Sequence, residues 1–109
     1  MDLCNINEIK ALLARHGFRF SKSMGQNFLI ESWVPQDIAE SSGAKEGYGV
    51  LEIGPGIGPL TKELAKRANR VVSVELDQSL LPILKETMEP YPNSEIVSGD
   101  ILKVDIPVL

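Results

Sequence analysis

Val50-Leu51-Glu52-Ile53-Gly54-Pro55-Gly56-Ile57-Gly58 joins a short β-rich run to a cluster of glycines. The run is too short for a helix, and the glycines end it, so it reads as a strand over 50–53 followed by a turn. Downstream, Leu60, Leu64, Ala65 and Ala68 recur at helical spacing and predict a helix over 59–68. Val71-Val72-Ser73-Val74-Glu75 is a second strand. A helix over 79–88 follows, with Pro82 tolerable only near its start and Pro90 and Pro92 closing it. Glu95-Ile96-Val97-Ser98 is a third, weaker strand before Gly99-Asp100. Strand, helix, strand, helix, strand is the signature of an α/β fold with a parallel sheet and right-handed crossovers.

Upstream of Gly47-Tyr48-Gly49 the chain reads as helices. Asn5 is placed to cap a first helix, with Glu8 three residues later as a capping-box acid. Ile6, Ile9, Leu12 and Leu13 supply its apolar stripe, and Gly17 its C-terminal stop. His16, the single histidine, falls in the last turn, where it is expected to interact with the helix C-terminus rather than bind a metal. Residues 18–29 read as a loop broken at Gly25. A second helix is expected over 32–42, capped by Ser32, with Pro35 in its first turn and Trp33, Val34 and Ile38 as its apolar face. Trp33 is expected to be a packing anchor.

Composition narrows the class. In 109 residues, 43% are hydrophobic and 24% charged, a mixture that suits one globular domain and excludes collagen-like, low-complexity and disordered chains. The clearest apolar runs, such as Phe28-Leu29-Ile30, are far too short to span a membrane, and the N-terminus has no secretory pattern. Cys4 is the one cysteine, so no internal disulfide forms, consistent with a reducing cytoplasm. The net charge of −4 is uneven: residues 1–30 carry +2, through Lys10, Arg15, Arg19 and Lys22, and the remainder carries −6. The basic N-terminal stretch is compatible with contact to a polyanion.

The glycine turn lies where an open α/β sheet binds ligands, at the C-terminal ends of its strands. Its spacing is G-x-G-x-G, which is neither the dinucleotide fingerprint nor a phosphate loop. That pattern favours a small adenosine-bearing cofactor without a pyrophosphate. Glu75 ends the second strand, where a carboxylate can accept hydrogen bonds from vicinal ribose hydroxyls. Asp100 follows the third strand and can accept from an exocyclic adenine amine, with Ile101 or Leu102 against the ring. Glu52 either approaches the cofactor or caps the following turn. A glycine turn, a Glu and an Asp at three successive strand ends form one site.

Three stretches carry a family resemblance: Glu-Ile-Gly-Pro-Gly-Ile-Gly-Pro-Leu-Thr (52–61), Val-Val-Ser-Val-Glu-Leu-Asp (71–77) and Ser-Gly-Asp-Ile-Leu (98–102). They resemble S-adenosylmethionine-dependent methyltransferases with a Rossmann-like fold. Lys-Ser-Met-Gly-Gln-Asn-Phe-Leu (22–29) resembles the corresponding element of the ribosomal RNA adenine N6-dimethyltransferases of the small subunit. The resemblance implies that Asn27 and Leu29 line the cofactor site from the N-terminal loop. It places Gly54 against the methionine moiety, with Gly56 permitting close approach, Glu75 on the ribose and Asp100 on the adenine. It implies dimethylation at N6 of two adjacent adenosines near the 3′ end of small-subunit (16S) rRNA, in the cytoplasm, with the 30S precursor particle as partner and no metal or membrane.

The division expected is 1–47 for the N-terminal helices and cofactor-contacting loop, and 48–109 for the first βαβαβ units. The family's target-base motif, Asn-[Leu/Ile]-Pro-[Tyr/Phe], does not occur in this sequence. No catalytic residue is therefore assigned. The chain reads as the N-terminal portion of a longer enzyme, inactive by itself, without the remaining sheet and a C-terminal helical domain. The erythromycin-resistance methyltransferases of large-subunit rRNA share the layout, and a non-catalytic rRNA-binding module is a third reading.

Overall fold

The computed structural model describes residues 1–18 and 31–99. Three parallel strands lie in the order β1 (Gly49–Ile53), β2 (Arg70–Glu75), β3 (Ser94–Ser98). The register pairs Glu52 with Ser73 and Ser73 with Ile96, and it brings Glu75 opposite Ser98. The chain is thus an α/β structure with a parallel sheet, as the alternating pattern predicts. Each strand begins one residue earlier than its sequence signal. Gly49, Arg70 and Ser94 join the ladder because their neighbours fix the register, although none is a strong strand former.

Helix α1 (Ile6–Arg15) forms for the expected local reasons, with one difference. The Asn5 side chain accepts from the N–H groups of Asn7 and Glu8 at 3.0 and 3.2 Å. Glu8 does not close a capping box; its carboxylate accepts from the Asp2 N–H instead, because the chain before Asn5 folds back over the helix start. At the other end, Gly17 N–H donates to Ala14 and Phe18 N–H to Leu13, the paired bonds of a Schellman stop. His16 is the C-cap residue, yet its ring engages Glu86 across the molecule at 3.1 Å, beside Arg15 on the same carboxylate.

Helix α2 (Trp33–Ser41) departs further from expectation. Ser32 makes no side-chain cap bond. Its backbone is already helical, so its hydroxyl is not placed to reach forward. Trp33 is 61% exposed and Ile38 45% exposed, while Pro35 and Ala39 are buried. The helix therefore turns its small residues inward, and Trp33 is no packing anchor. Helix α3 (Pro59–Arg67) packs on β2, and Asn93 closes its end by donating to the carbonyls of Ala65 and Ala68. A 3-10 turn (Gln78–Leu80) leads into α4 (Leu81–Thr87), with Pro82 in the first turn as required.

The core forms two clusters. Ile9, Leu12 and Leu13 of α1 meet Ile57, Leu80, Ile83 and Met88 in one. Ala39, Leu64, Ala65, Ala68 and Val71 form the other. Leu12 and Leu13 are fully buried, each contributing about 1.5–3 kcal/mol by removal from water. Ile57 belongs to the glycine turn itself, so α1 packs directly beneath that turn. Among the described residues no helix is long and apolar enough to cross a membrane.

Candidate cofactor site

The turn between β1 and α3 leaves the sheet at the C-terminal ends of two paired strands. Gly54 continues the ladder by donating to the Val74 carbonyl at 2.9 Å. Beyond it the chain reverses, and the Gly58 N–H closes on the Pro55 carbonyl at 3.0 Å. Gly54 and Gly56 have φ of +70° and +63°, and a Cβ on either would meet nothing within 4 Å. Those two positions are a bare stretch of backbone facing open space, the condition for a ligand to approach closely. Gly58 is different. At φ +103°, a Cβ there would meet Met88 Cε at 2.8 Å and Thr87 Oγ1 at 3.2 Å. It is glycine so that the turn can pack against the C-terminal end of α4. The G-x-G-x-G spacing does not separate these roles.

Glu75 stands beside the turn. It is 7% exposed at the end of β2, and its two carboxylate oxygens are shared between two main-chain donors. Oε1 accepts from the Gly56 N–H at 3.2 Å and Oε2 from the Asp77 N–H at 3.0 Å. A carboxylate offers about four lone-pair sites, so one on each oxygen remains for a diol. The two main-chain bonds fix the rotamer of this carboxylate. Leu76, the next residue, is 68% exposed. This apolar surface at a strand end lies one residue from the acid. The sequence reading passed over it because a leucine after a strand is ordinarily core.

Glu52 lies under the turn. It is 8% exposed, and Oε1 accepts from both the Thr61 hydroxyl at 2.5 Å and the Ser73 hydroxyl at 2.8 Å. Burial pushes its carboxyl above the ordinary carboxylate range, the two hydroxyl donors oppose that shift, and the Glu75 charge adds to it. Glu52 thus accepts from two hydroxyls, neither of them a main-chain N–H of the turn it was expected to cap. It joins β1, β2 and the first turn of α3 into one unit.

Asn27, Leu29 and Asp100 lie outside the described residues. Gly99, the last described residue, donates to the Glu75 carbonyl at 3.0 Å, so the end of β3 lies beside the site. Among the described residues no group of three His, Cys, Asp or Glu side chains is arranged to hold a metal. The Cys4 thiol is half-buried and pushed up in pKa, mainly by that burial, which makes it a poor nucleophile. An apolar groove of about 420 Å³ runs between α4 and β3, past Leu84, Met88, Tyr91 and Ile96, and includes no residue of the turn.

The open glycines, the buried acid with spare acceptor sites and the neighbouring apolar surface fit an adenosine-bearing cofactor without a pyrophosphate. Known proteins agree. Solved structures with a similar fold include the 23S rRNA methyltransferase ErmE (TM-score 0.67, 40% identity over 72% of this chain and 32% of that one). Another is a dimethyladenosine transferase from Plasmodium falciparum (TM-score 0.65, 30% identity over 71% of this chain and 29% of that one). The fold is that of S-adenosylmethionine-dependent methyltransferases, in its N-terminal part. Among curated relatives, the ribosomal RNA small subunit methyltransferase A of Staphylococcus haemolyticus is 49% identical over 96% of this chain. The chain spans only 36% of that relative's length. The family model for ribosomal RNA adenine dimethylases matches residues 17–109, and the chain belongs to that family.

Proposed function

We propose that this chain is the cofactor-binding part of an S-adenosylmethionine-dependent dimethyltransferase acting on N6 of two adjacent adenosines of small-subunit rRNA. The observation that carries the reading is the Glu75 carboxylate bonded to the Gly56 N–H beside two open glycines, in a chain of this family. In this reading Gly54 and Gly56 let the methionine end lie against the backbone, and Glu75 accepts from the ribose hydroxyls. Leu76 offers an apolar surface to the adenine. Asn27, Leu29 and Asp100 take the roles the sequence resemblance gives them. Residues 1–47 serve as the N-terminal helices and cofactor loop, and 48–109 as the first βαβαβ units. A small-subunit precursor particle is the partner, and the work is cytoplasmic.

When bound, the cofactor supplies an activated sulfonium methyl. This chain needs no acid–base pair for that chemistry. Its residues bind and orient: Glu75 fixes the ribose, Glu52 stiffens the strand end below it, and Ile57 anchors the turn to α1. No residue of this chain is assigned to hold the target adenine, so the 109 residues are expected to bind the cofactor without transferring its methyl.

Titration calorimetry with S-adenosylmethionine tests the reading. Saturable binding is expected for the chain, with loss of at least about tenfold in affinity for Glu75→Ala, which removes a bidentate acceptor. Absence of binding by a chain whose circular dichroism shows it folded overturns it. A second reading rests on the 40% identity to a large-subunit enzyme. The higher identity to small-subunit relatives, over more of the chain, favours the first. Methylation of isolated small and large subunits by the complete enzyme separates the two.

A further inference from the structure

Thr87 belongs to no motif in the sequence, yet it reaches the cofactor turn. It is the last residue of α4, 7% exposed, and its hydroxyl lies 2.9 Å from the Ile57 carbonyl. The alternative acceptor, the Leu84 carbonyl in its own helix, is 3.3 Å away. A hydroxyl has one proton to give, and the shorter distance marks Ile57 as its principal acceptor. A threonine in a helix commonly satisfies itself on a preceding carbonyl of the same helix. Here the hydroxyl is turned outward, to a residue 30 positions earlier in the chain.

Ile57 is the residue between Gly56 and Gly58. Its side chain is 1% exposed, gripped by the α1 cluster. Its carbonyl is held by Thr87 on one side, and the Gly56 N–H is held by Glu75 on the other. Glycines on both sides of Ile57 would otherwise leave this backbone free to rotate. Ordering it only on binding would subtract from affinity; ordering it beforehand does not.

Resting on the cofactor reading above, we propose that Thr87 is a positioning residue for that site. Its hydroxyl holds the Ile57 carbonyl, and with it the Gly56–Gly58 backbone, in the ligand-ready conformation before the ligand arrives. Thr87 touches no ligand; it acts through Ile57.

The test uses three variants of the chain: Thr87→Val, which keeps the shape and removes the donor; Thr87→Ser, which keeps the donor and removes a methyl; and Ile83→Val, which trims the core on the same helix. Each is titrated with S-adenosylmethionine well below its melting temperature. Loss of one preorganising hydrogen bond should weaken binding about fivefold in Thr87→Val. Thr87→Ser and Ile83→Val should stay within about twofold of the wild type, although both melt earlier. Amide exchange gives a readout without ligand. The Gly58 N–H, which closes the turn on Pro55, should exchange faster in Thr87→Val but not in Thr87→Ser, relative to the central amides of β2. Equal affinity and exchange in the two Thr87 variants overturns the proposal, as does a loss of affinity that tracks melting temperature across all three. If the folded wild type binds no S-adenosylmethionine, the cofactor reading fails first, and the exchange result alone shows whether Thr87 orders the turn. Should Thr87→Val fail to fold, Thr87→Ser against Ile83→Val decides: weaker binding by the serine variant refutes the hydroxyl's role.

Discussion

Replacing Gly56 and Gly58 in turn with alanine should separate two functions that the G-x-G-x-G spacing runs together. At Gly56, φ is +63°, inside the left-handed region that L residues reach at a cost of roughly 1–2 kcal/mol. The new Cβ meets nothing within 4 Å. The fold should therefore lose only about 1–2 kcal/mol. At Gly58, φ is +103° and ψ +20°, also left-handed, and strain of the order of 1–3 kcal/mol is expected from the backbone alone. The Cβ also meets Met88 Cε at 2.8 Å, Thr87 Oγ1 at 3.2 Å and Leu84 Cδ2 at 3.5 Å. Met88 is flexible and can swing aside. Thr87 can retreat only by releasing the Ile57 carbonyl, so overpacking adds roughly 1–3 kcal/mol. Together Gly58→Ala should cost about 2–6 kcal/mol. At about 4 °C per kcal/mol for a domain of this size, it should melt roughly 8–24 °C lower, against about 4–8 °C for Gly56→Ala. Binding should show the reverse order of cause. Gly56→Ala fills the space where the ligand would lie and should lose at least about tenfold in S-adenosylmethionine affinity while remaining folded. Thermal melts by circular dichroism and calorimetry on the same samples give both numbers. Melting of Gly58→Ala within a few degrees of Gly56→Ala refutes the packing account of Gly58. Unchanged affinity in Gly56→Ala refutes the close-approach account of the turn.

Two carboxyls should titrate with opposite effects on stability. Burial raises the Glu52 pKa, so the folded chain holds that proton more tightly than the unfolded one. Its stabilising contribution is full below the unfolded value near 4.5 and is lost as pH rises through the raised folded value. The melting temperature of Glu52→Gln, measured relative to wild type, should accordingly be higher at neutral pH than at pH about 4. Glu86 is the converse: the hydrogen bond from Arg15 lowers its pKa, so its contribution is present above the unfolded value and is lost as pH falls through the folded one. Arg15→Ala should lower the melting temperature slightly at neutral pH, and less in high salt, because the pair is exposed. Leu13→Ala, which opens a cavity at a fully buried position under Ile57, should cost about 2–5 kcal/mol in a urea melt.

The strands and helices were legible because each boundary has a local cause. Asn5 caps α1, the glycines end β1, and the early position of Pro82 fixes where α4 can begin. Trp33 was not legible for the opposite reason. Hydrophobicity alone says that a tryptophan is buried, but α2 lies close to α3 and buries Pro35 and Ala39 instead. Small residues permit that close approach and an indole does not. The helix leaves Trp33 outside because of its neighbour, which no pattern within residues 33–41 records. The α1 pattern correctly marked Ile9, Leu12 and Leu13 as core. It could not say that their partner would be Ile57, in the middle of the glycine turn, more than 40 positions away.

The same division runs through the site. The position of Glu75 was legible because it ends a strand whose partner strand ends in the glycine turn, and its side chain does lie beside that turn. Its grip on the Gly56 and Asp77 N–H groups was not, since those bonds depend on how the turn folds back over β2. Three glycines at alternate positions look equivalent in sequence. Gly54 and Gly56 face open space, whereas Gly58 faces the end of α4. What distinguishes them is the end of α4, where Met88, Thr87 and Leu84 crowd the corner that a Gly58 Cβ would enter. The turn is therefore specified twice over. Gly54 and Gly56 leave open space beside the backbone, and distant contacts from Glu75, Thr87 and the α1 cluster around Ile57 fix how that backbone lies.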